Sequence, residues 1–87
     1  MNEVEVGRVA RYFGKVGVAV IEIHAGDLHV GDTIRIRGKT TDVSQRVESM
    51  EMEHQPIHTA VLGQLVGIKV RERVREHDLV YKEIPQG

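Results

Sequence analysis

The chain has 87 residues, no cysteine and a formal net charge of -1, from 12 basic and 13 acidic side chains. Without cysteine there is no disulfide, no thiolate nucleophile and no cysteine zinc site. A chain of this length forms one small domain, so we expect no spacious internal active site, and the nearly balanced charge predicts no partner by itself.

The N-terminal residues 1–13 read MNEVEVGRVARYF and alternate apolar and polar side chains as a strand does. The apolar positions change phase at Gly7, from Val4 and Val6 to Val9, which predicts a β-bulge at the glycine. The opening is acidic and has no apolar run long enough for a signal peptide or a membrane span. We therefore expect a cytoplasmic protein with no membrane partner.

The next stretch, FGKVGVAVIEI, contains a Gly-Lys pair that could end a phosphate-binding loop. Such a loop needs the pattern Gly-x-x-x-x-Gly-Lys-Ser/Thr, because its glycines turn backbone N–H groups toward the phosphates and its hydroxyl binds magnesium. Here the position five residues before Gly14 is Val9, and Lys15 is followed by Val16. We expect no nucleotide site and interpret YFGKVG as a turn between two strands.

The second predicted strand runs from Val16 to His24, and its apolar positions also change phase midway. It ends at HAGDLHVGD, in which Gly31-Asp32 predicts a tight turn into TIRIRGK. In this third strand Ile34 and Ile36 would face the core. The outward-facing residues would be Arg35, Arg37 and Lys39.

Short β-branched runs continue to the C-terminus. A longer strand is predicted from Thr41 to Glu53 with a change of phase near its middle, and Pro56 predicts a loop after it. The run QLVGIKVRERV and, after the turn REHD, the run LVYKEI are the last two strands. About six strands without a helix favour closure, which removes exposed edges, so we predict an all-β fold: a small closed six-stranded antiparallel β-barrel.

The motifs VGRV, GVAVIEI, LHVGDTIRI, VESMEM, AVLGQLVGIKV and REHDLVYK follow one another in an order that resembles the second, β-barrel domain of translational GTPases such as elongation factor Tu. The resemblance extends from Val4 to Lys82, so residues 1–87 would be a single β-barrel domain of the translation-protein type with its core at about 4–82. It is strongest to small stand-alone elongation-factor-like proteins, and similar barrels are appended to some U32-type peptidases.

The resemblance implies a function for the barrel. Translational GTPases carry a P-loop domain before it, and this chain has no room for one, so GTP hydrolysis is not implied. The barrel's own role in the family is contact with RNA, either tRNA or ribosomal RNA. The resemblance also places Glu51 where elongation factor Tu has a Glu beside the terminal adenosine of aminoacyl-tRNA. The alternative is that Glu51 is a solvated acid like Glu48 and Glu53.

Two sets of basic residues point to RNA independently of the family, because each set follows the two-residue strand period and would share one face. If both lay on one side of the barrel, they would form a stripe that follows phosphates. Acids such as Asp42, Glu72 and Glu76 could instead pair with them, and aromatic side chains for base stacking are few. The sets are Arg35, Arg37 and Lys39, and Lys69, Arg71, Arg73 and Arg75.

Catalysis has no visible motif. His54 and His58 could share a metal on a helix, but Pro56 between them favours a loop and no third ligand follows. No Gly-x-Ser-x-Gly elbow is present, so we expect no enzyme, no cofactor and no metal. The leading hypothesis is a noncatalytic RNA- or ribosome-associated module. The alternative is a protein-interaction barrel that docks onto a partner enzyme such as a U32-type peptidase, which an exposed apolar patch would favour.

Overall fold

The computed structural model describes residues 2–85, which form ten strands and no helix, so the all-β class is confirmed. In this part of the chain no helix is long and apolar enough to cross a membrane. The strands are β1 (Asn2–Phe13), β2 (Val18–Ile23), β3 (Asp27–His29), β4 (Thr33–Arg37), β5 (Asp42–Arg46), β6 (Met50–Met52), β7 (Gln55–Ile57), β8 (Thr59–Val61), β9 (Leu65–Lys69) and β10 (Leu79–Ile84).

Eight of these strands form one antiparallel sheet in the order β5-β4-β10-β1-β2-β9-β6-β7, and β3 pairs with β8 in a second sheet. These pairings do not close a barrel among residues 2–85, so the closed six-stranded barrel is not confirmed. The strand count differs because the predicted strand from Thr41 to Glu53 breaks at residues 47–49 into β5 and β6, and because three short strands, β3, β7 and β8, form in segments predicted to be turns or loops. Pro56 lies in β7 rather than in a loop, and this outermost strand tolerates a residue without an N–H group.

The long strand β1 organises the sheet, because its first part, Asn2 to Arg8, pairs with β10 and its second part, Gly7 to Phe13, pairs with β2. Its register against β10 shifts between Glu5 and Gly7, which confirms the predicted bulge, and its register against β2 shifts between Val9 and Arg11. A side chain on Gly7 would collide with the carbonyl oxygen of Glu22 on β2. Glycine is therefore required where these two backbones come closest.

Strand β2 is regular, and the predicted change of phase within it is wrong. Ala19, Ile21 and Ile23 all face the core, whereas Val18 and Val20 lie half-buried on the outer face. The strand also begins at Val18, because residues 14–17 form the predicted turn. The buried apolar side chains of the core are Val6, Val9, Ala19, Ile21, Ile23, Leu28, Ile34, Ile36, Val43, Val47, Met50, Ala60, Val66, Ile68, Val74 and Val80.

Strand β5, one edge of the large sheet, is held through a buried side chain. The Gln45 Nε2 group donates to the Lys69 carbonyl oxygen at 2.8 Å, and Gln45 Oε1 accepts from the Arg71 N–H group at 2.9 Å. Gln45 is only 7% exposed, so these backbone groups have little access to water. The carboxamide thus replaces a strand partner and fastens β5 to the end of β9.

An ion pair ties the small sheet to the large one. The Lys82 ammonium on β10 donates to the Asp27 carbonyl oxygen at 2.9 Å and to its carboxylate at 2.8 Å, and the Lys82 side chain is only 14% exposed. The hydrogen bond from Lys82 lowers the pKa of Asp27 below its ordinary value of 3.8, and His29 contributes in the same direction. Strand β3 is held against β10 by this contact.

Gln45→Glu is expected to lower the free energy of unfolding by about 2 kcal/mol, because a carboxylate has no N–H for the Lys69 carbonyl and leaves that group unpaired. Urea unfolding at neutral pH measures the change. Gln55→Glu is the matched control, since Gln55 is exposed on β7 and the substitution adds the same charge. Equal stabilities of the two variants would contradict the bridging role of Gln45.

Asp27→Asn is expected to destabilise the protein at neutral pH and to become indistinguishable from wild type in acid. The folded-state pKa of Asp27 lies below its ordinary value, so the contribution is complete above pH 3.8 and is lost as the pH falls through the lowered pKa. Urea unfolding at neutral pH and at several pH values below 3.8 tests this. Glu48→Gln, at an exposed position, controls for loss of charge. A difference that persists unchanged in acid would contradict the assignment.

Candidate functional site

The main concavity of the described surface is a groove of about 340 Å³ on the outer face of β2, β9 and β6. We call it the outer groove. Apolar side chains dominate its lining, and carboxylates and an imidazole lie along one side. The lining residues are Phe13, Val16, Val18, Val20, Glu51, Met52, Glu53, His54, Leu65 and Gly67.

The floor of the outer groove follows from strand register. Val20 on β2 is paired with Gly67 on β9, and Gly67 is paired with Glu51 on β6. A Cβ atom on Gly67 would lie 3.4 Å from Val18 Cγ1 and 3.6 Å from Glu51 Cγ, which are ordinary contact distances. A methyl group would therefore fit at position 67 between Val18 of β2 and Glu51 of β6, and neither a steric clash nor a positive φ angle demands glycine there.

The walls of the outer groove expose apolar surface to water. Phe13 is 45% exposed, Val16 62% and Leu65 53%. Phe13 ends β1, Val16 lies in the turn before β2 and Leu65 begins β9, so three separate segments bring these side chains to one place. Contiguous apolar surface of this kind is typical of an interaction site.

The polar side of the outer groove is the hairpin of β6 and β7. Its two turn residues, Glu53 and His54, have positive φ angles of 51° and 65°. The left-handed region is unfavourable for residues with a Cβ, and hairpin turns of this type prefer Asn-Gly. Within residues 2–85, neither Glu51 nor Glu53 forms an ion pair. Two carboxylates beside the apolar walls thus remain free to meet a cation.

The basic residues of β4 are engaged by acids. The Arg35 guanidinium donates two hydrogen bonds of 2.8 Å to the Asp42 carboxylate. This contact raises the pKa of Arg35 and lowers the pKa of Asp42. Arg37 pairs with Glu3 and lies over the Tyr81 ring at 4.7 Å from its centroid. The face predicted to be cationic is therefore a mixed, paired surface at these two positions.

The second basic set does not share one strand face as predicted. β9 ends at Lys69, so Arg71, Arg73 and Arg75 lie in the irregular segment before β10. Arg75 donates to Thr40 Oγ1 at 3.0 Å, which brings it to the turn that carries Lys39. The two-residue spacing does not place these side chains on one face, because the pairing of β2 with β9 ends at Val18 and Lys69 and the chain beyond it is not a strand.

The predicted RNA-binding residues consequently lie on β4 and just after it, at the end of β9, in the segment before β10 and in the outer groove. Arg35 and Arg37 lie on β4, and β10, β1 and β2 separate that strand from β9 in the sheet. Glu51 lies in the outer groove with none of the predicted basic residues among its lining. Contact of these residues with RNA stays a prediction. Among residues 2–85 no group of three or more His, Cys, Asp or Glu side chains could hold a metal.

Sequence reasoning missed the apolar lining of the outer groove. The predicted change of phase in β2 does not separate the outward-facing Val18 and Val20 from the inward-facing Ile21 and Ile23. The available signal is that apolar residues occupy both faces of this strand, whereas an antiparallel strand with one solvated face commonly alternates apolar and polar residues.

Comparison with known proteins gives consistent matches. A family model described as elongation factor Tu domain 2 matches residues 16–76. A protein named collagenase from Porphyromonas gingivalis strain W83 is 43% identical over 82 residues, which cover 93% of this chain and 20% of that protein. A protein of Methanocaldococcus jannaschii named as an uncharacterized protease is 46% identical over 81 residues, covering 92% of this chain and 20% of that protein.

Solved structures share the fold. The crystal structure of the C-terminal domain of a Geobacillus thermoleovorans protein described as a U32 peptidase matches with a TM-score of 0.83 and 21% identity, covering 91% of both chains. Its selenomethionine variant also matches with a TM-score of 0.83. At this identity the likeness shows the fold alone. The chain thus spans about a fifth of the length of the curated relatives it matches.

Gly67→Ala is expected to fold with a stability within about 1 kcal/mol of wild type, because its Cβ meets only ordinary contacts and alanine restricts the unfolded chain more than glycine does. Gly7→Ala is the matched comparison, and we expect it to unfold at much lower temperature, since its Cβ collides with the Glu22 backbone. Thermal unfolding followed by circular dichroism compares the two variants. Similar large losses in both would show that position 67 lacks the open space described.

Proposed function

Since the chain belongs to the elongation factor Tu domain 2 family, we propose that it is a noncatalytic docking domain that packs against a U32-type peptidase domain through the outer groove. The observation that carries the proposal is the exposed apolar wall formed by Phe13, Val16 and Leu65. Such an exposed apolar wall is suited to contact with a protein surface, because a few deeply buried side chains supply most of the binding energy of an interface.

The relatives support this choice of partner. Proteins named collagenase and protease contain a segment 43–46% identical to this chain, and the segment accounts for about a fifth of each. The matching solved domain comes from a protein described as a U32 peptidase. The outer groove, with its exposed apolar walls, is the surface that we propose contacts the larger enzyme.

The charges on β4 and in the outer groove favour protein docking over RNA at these two places. Binding to RNA is driven by cations that are free to replace counterions at phosphates. Arg35 and Arg37 already meet Asp42 and Glu3, so phosphate contact there would compete with existing pairs. The outer groove itself carries Glu51 and Glu53, whose carboxylates would repel a phosphate backbone.

Burial of the exposed walls would contribute to the free energy of docking. Complete burial of a side chain such as Phe13 or Leu65 is worth about 1.5–3 kcal/mol. Both are about half exposed in the free domain, so part of this gain remains for an interface. Contacts between domains of one chain usually bury roughly 600–1,500 Å², an area that the outer groove and its surroundings could form.

Leu65→Asp is expected to weaken docking by about tenfold or more, because it buries a charge at the centre of an apolar contact. The partner is the Methanocaldococcus jannaschii protease from which the segment matching this chain has been deleted. Isothermal titration calorimetry with the purified 87-residue chain measures the affinity. Leu62→Asp is the matched control, since Leu62 is also exposed but lies outside the outer groove.

Two controls accompany this titration. A cooperative thermal transition of the truncated protease shows that it is folded, and circular dichroism shows that both leucine variants keep the native fold. Equal loss of affinity in the two variants would contradict docking through the outer groove. Binding of labelled tRNA at low salt, with no binding of the protease, would support the RNA function in place of docking.

A further inference from the structure

We propose that the occupant of the outer groove is a segment of the peptidase domain in which an apolar side chain is followed by a lysine or arginine. The apolar side chain fills the space above Gly67, and the cation lies against Glu51 and Glu53. This inference rests on the proposed function and specifies the chemistry of the partner at that same site. It depends on how charge and apolar surface are divided between the two sides of the groove.

The acidic side is formed by the β6–β7 hairpin. Glu51 lies opposite Gly67 in the strand register, and Glu53 follows in the turn. Their carboxylates border the same groove and are unpaired among the described residues. Some acids elsewhere pair with cations, as Glu22 does with Arg8 at 2.9 Å and Asp42 with Arg35 at 2.8 Å, whereas others such as Glu48 and Glu72 have no ion pair among residues 2–85. What distinguishes Glu51 and Glu53 is that both border one apolar groove, where a basic side chain of the partner would meet two carboxylates together.

The opposite wall, at Phe13, has a positive charge beside it instead of negative ones. Phe13 presents its ring there, and the Arg11 guanidinium lies 5.8 Å from the ring centroid. A cationic side chain of the partner would be repelled at this wall and attracted at the hairpin. The two sides thus fix the direction in which a basic-apolar segment lies across the groove, with its cation toward β6.

The gap at Gly67 determines where the apolar side chain goes. Val18 and Val20 form the floor on one side of it, and the aliphatic part of Glu51 forms the other. A lysine stem also packs well on apolar surface while its ammonium reaches a carboxylate. The same short segment can therefore satisfy both parts of the groove.

The hairpin fixes the backbone that carries these two glutamates before binding. The turn between β6 and β7 has only two residues, and the pair of Met52 with Gln55 closes it on both strands. Because Glu53 is confined to a left-handed conformation by this turn, less backbone freedom is lost when it meets a cation. Preorganisation of this kind favours affinity without any additional contact.

The test uses the double variant Glu51→Gln/Glu53→Gln in the same titration with the truncated protease. We expect its affinity to fall about three- to tenfold, the range for loss of two partly exposed charge pairs. Glu48→Gln/Glu72→Gln is the matched control, because it removes the same charge from exposed positions outside the groove. We also expect added NaCl to weaken wild-type docking and to have a smaller effect on the groove variant.

The outcomes separate this inference from the proposed function. If Leu65→Asp abolishes docking but the groove and control double variants bind alike, docking stands and the basic-apolar occupant is overturned. If affinity rises when Glu51 and Glu53 are neutralised, the occupant is acidic rather than basic. If the wild-type chain does not bind the folded protease at all, both proposals are overturned.

Discussion

The Gln45 carboxamide joins two strands that are not neighbours in the sheet: its Nε2 group donates to the Lys69 carbonyl oxygen, and its Oε1 atom accepts from the Arg71 N–H group. The contact links the edge strand β5 to the end of β9, although β4, β10, β1 and β2 lie between these strands in the sheet. Two distant parts of an open sheet thus meet beside a shared core of aliphatic side chains.

The outer surface has two different halves. On β4 and β5, Arg35 pairs with Asp42, and Arg37 pairs with Glu3 of β1, so these two arginines are neutralised. On β2, β9 and β6 the outer groove is lined by valine, leucine and glycine, and Glu51 and Glu53 beside them have no ion pair among residues 2–85. The proposed docking site lies on this second half.

The sequence predicted the inner face of the fold better than the outer. Ile34 and Ile36 follow the two-residue period of a strand, so their burial can be predicted from this strand alone, without knowing which strands lie beside it. The pairing of Arg37 with Glu3 joins residues 34 apart in sequence, and only the register of β1, β10 and β4 brings them together. The groove likewise depends on Gly67 lying between Val20 and Glu51, a relation between strands that no single strand pattern contains.

Pro56 has a consequence for solubility at high concentration. It lies in β7, the edge of the large sheet opposite β5, and contributes no N–H group that another chain could bind. The margin at β7 is thus a poor template for an added strand, which guards against edge-to-edge polymerisation on that side. Fibril formation would first require the domain to open locally, so it should be slow under native conditions.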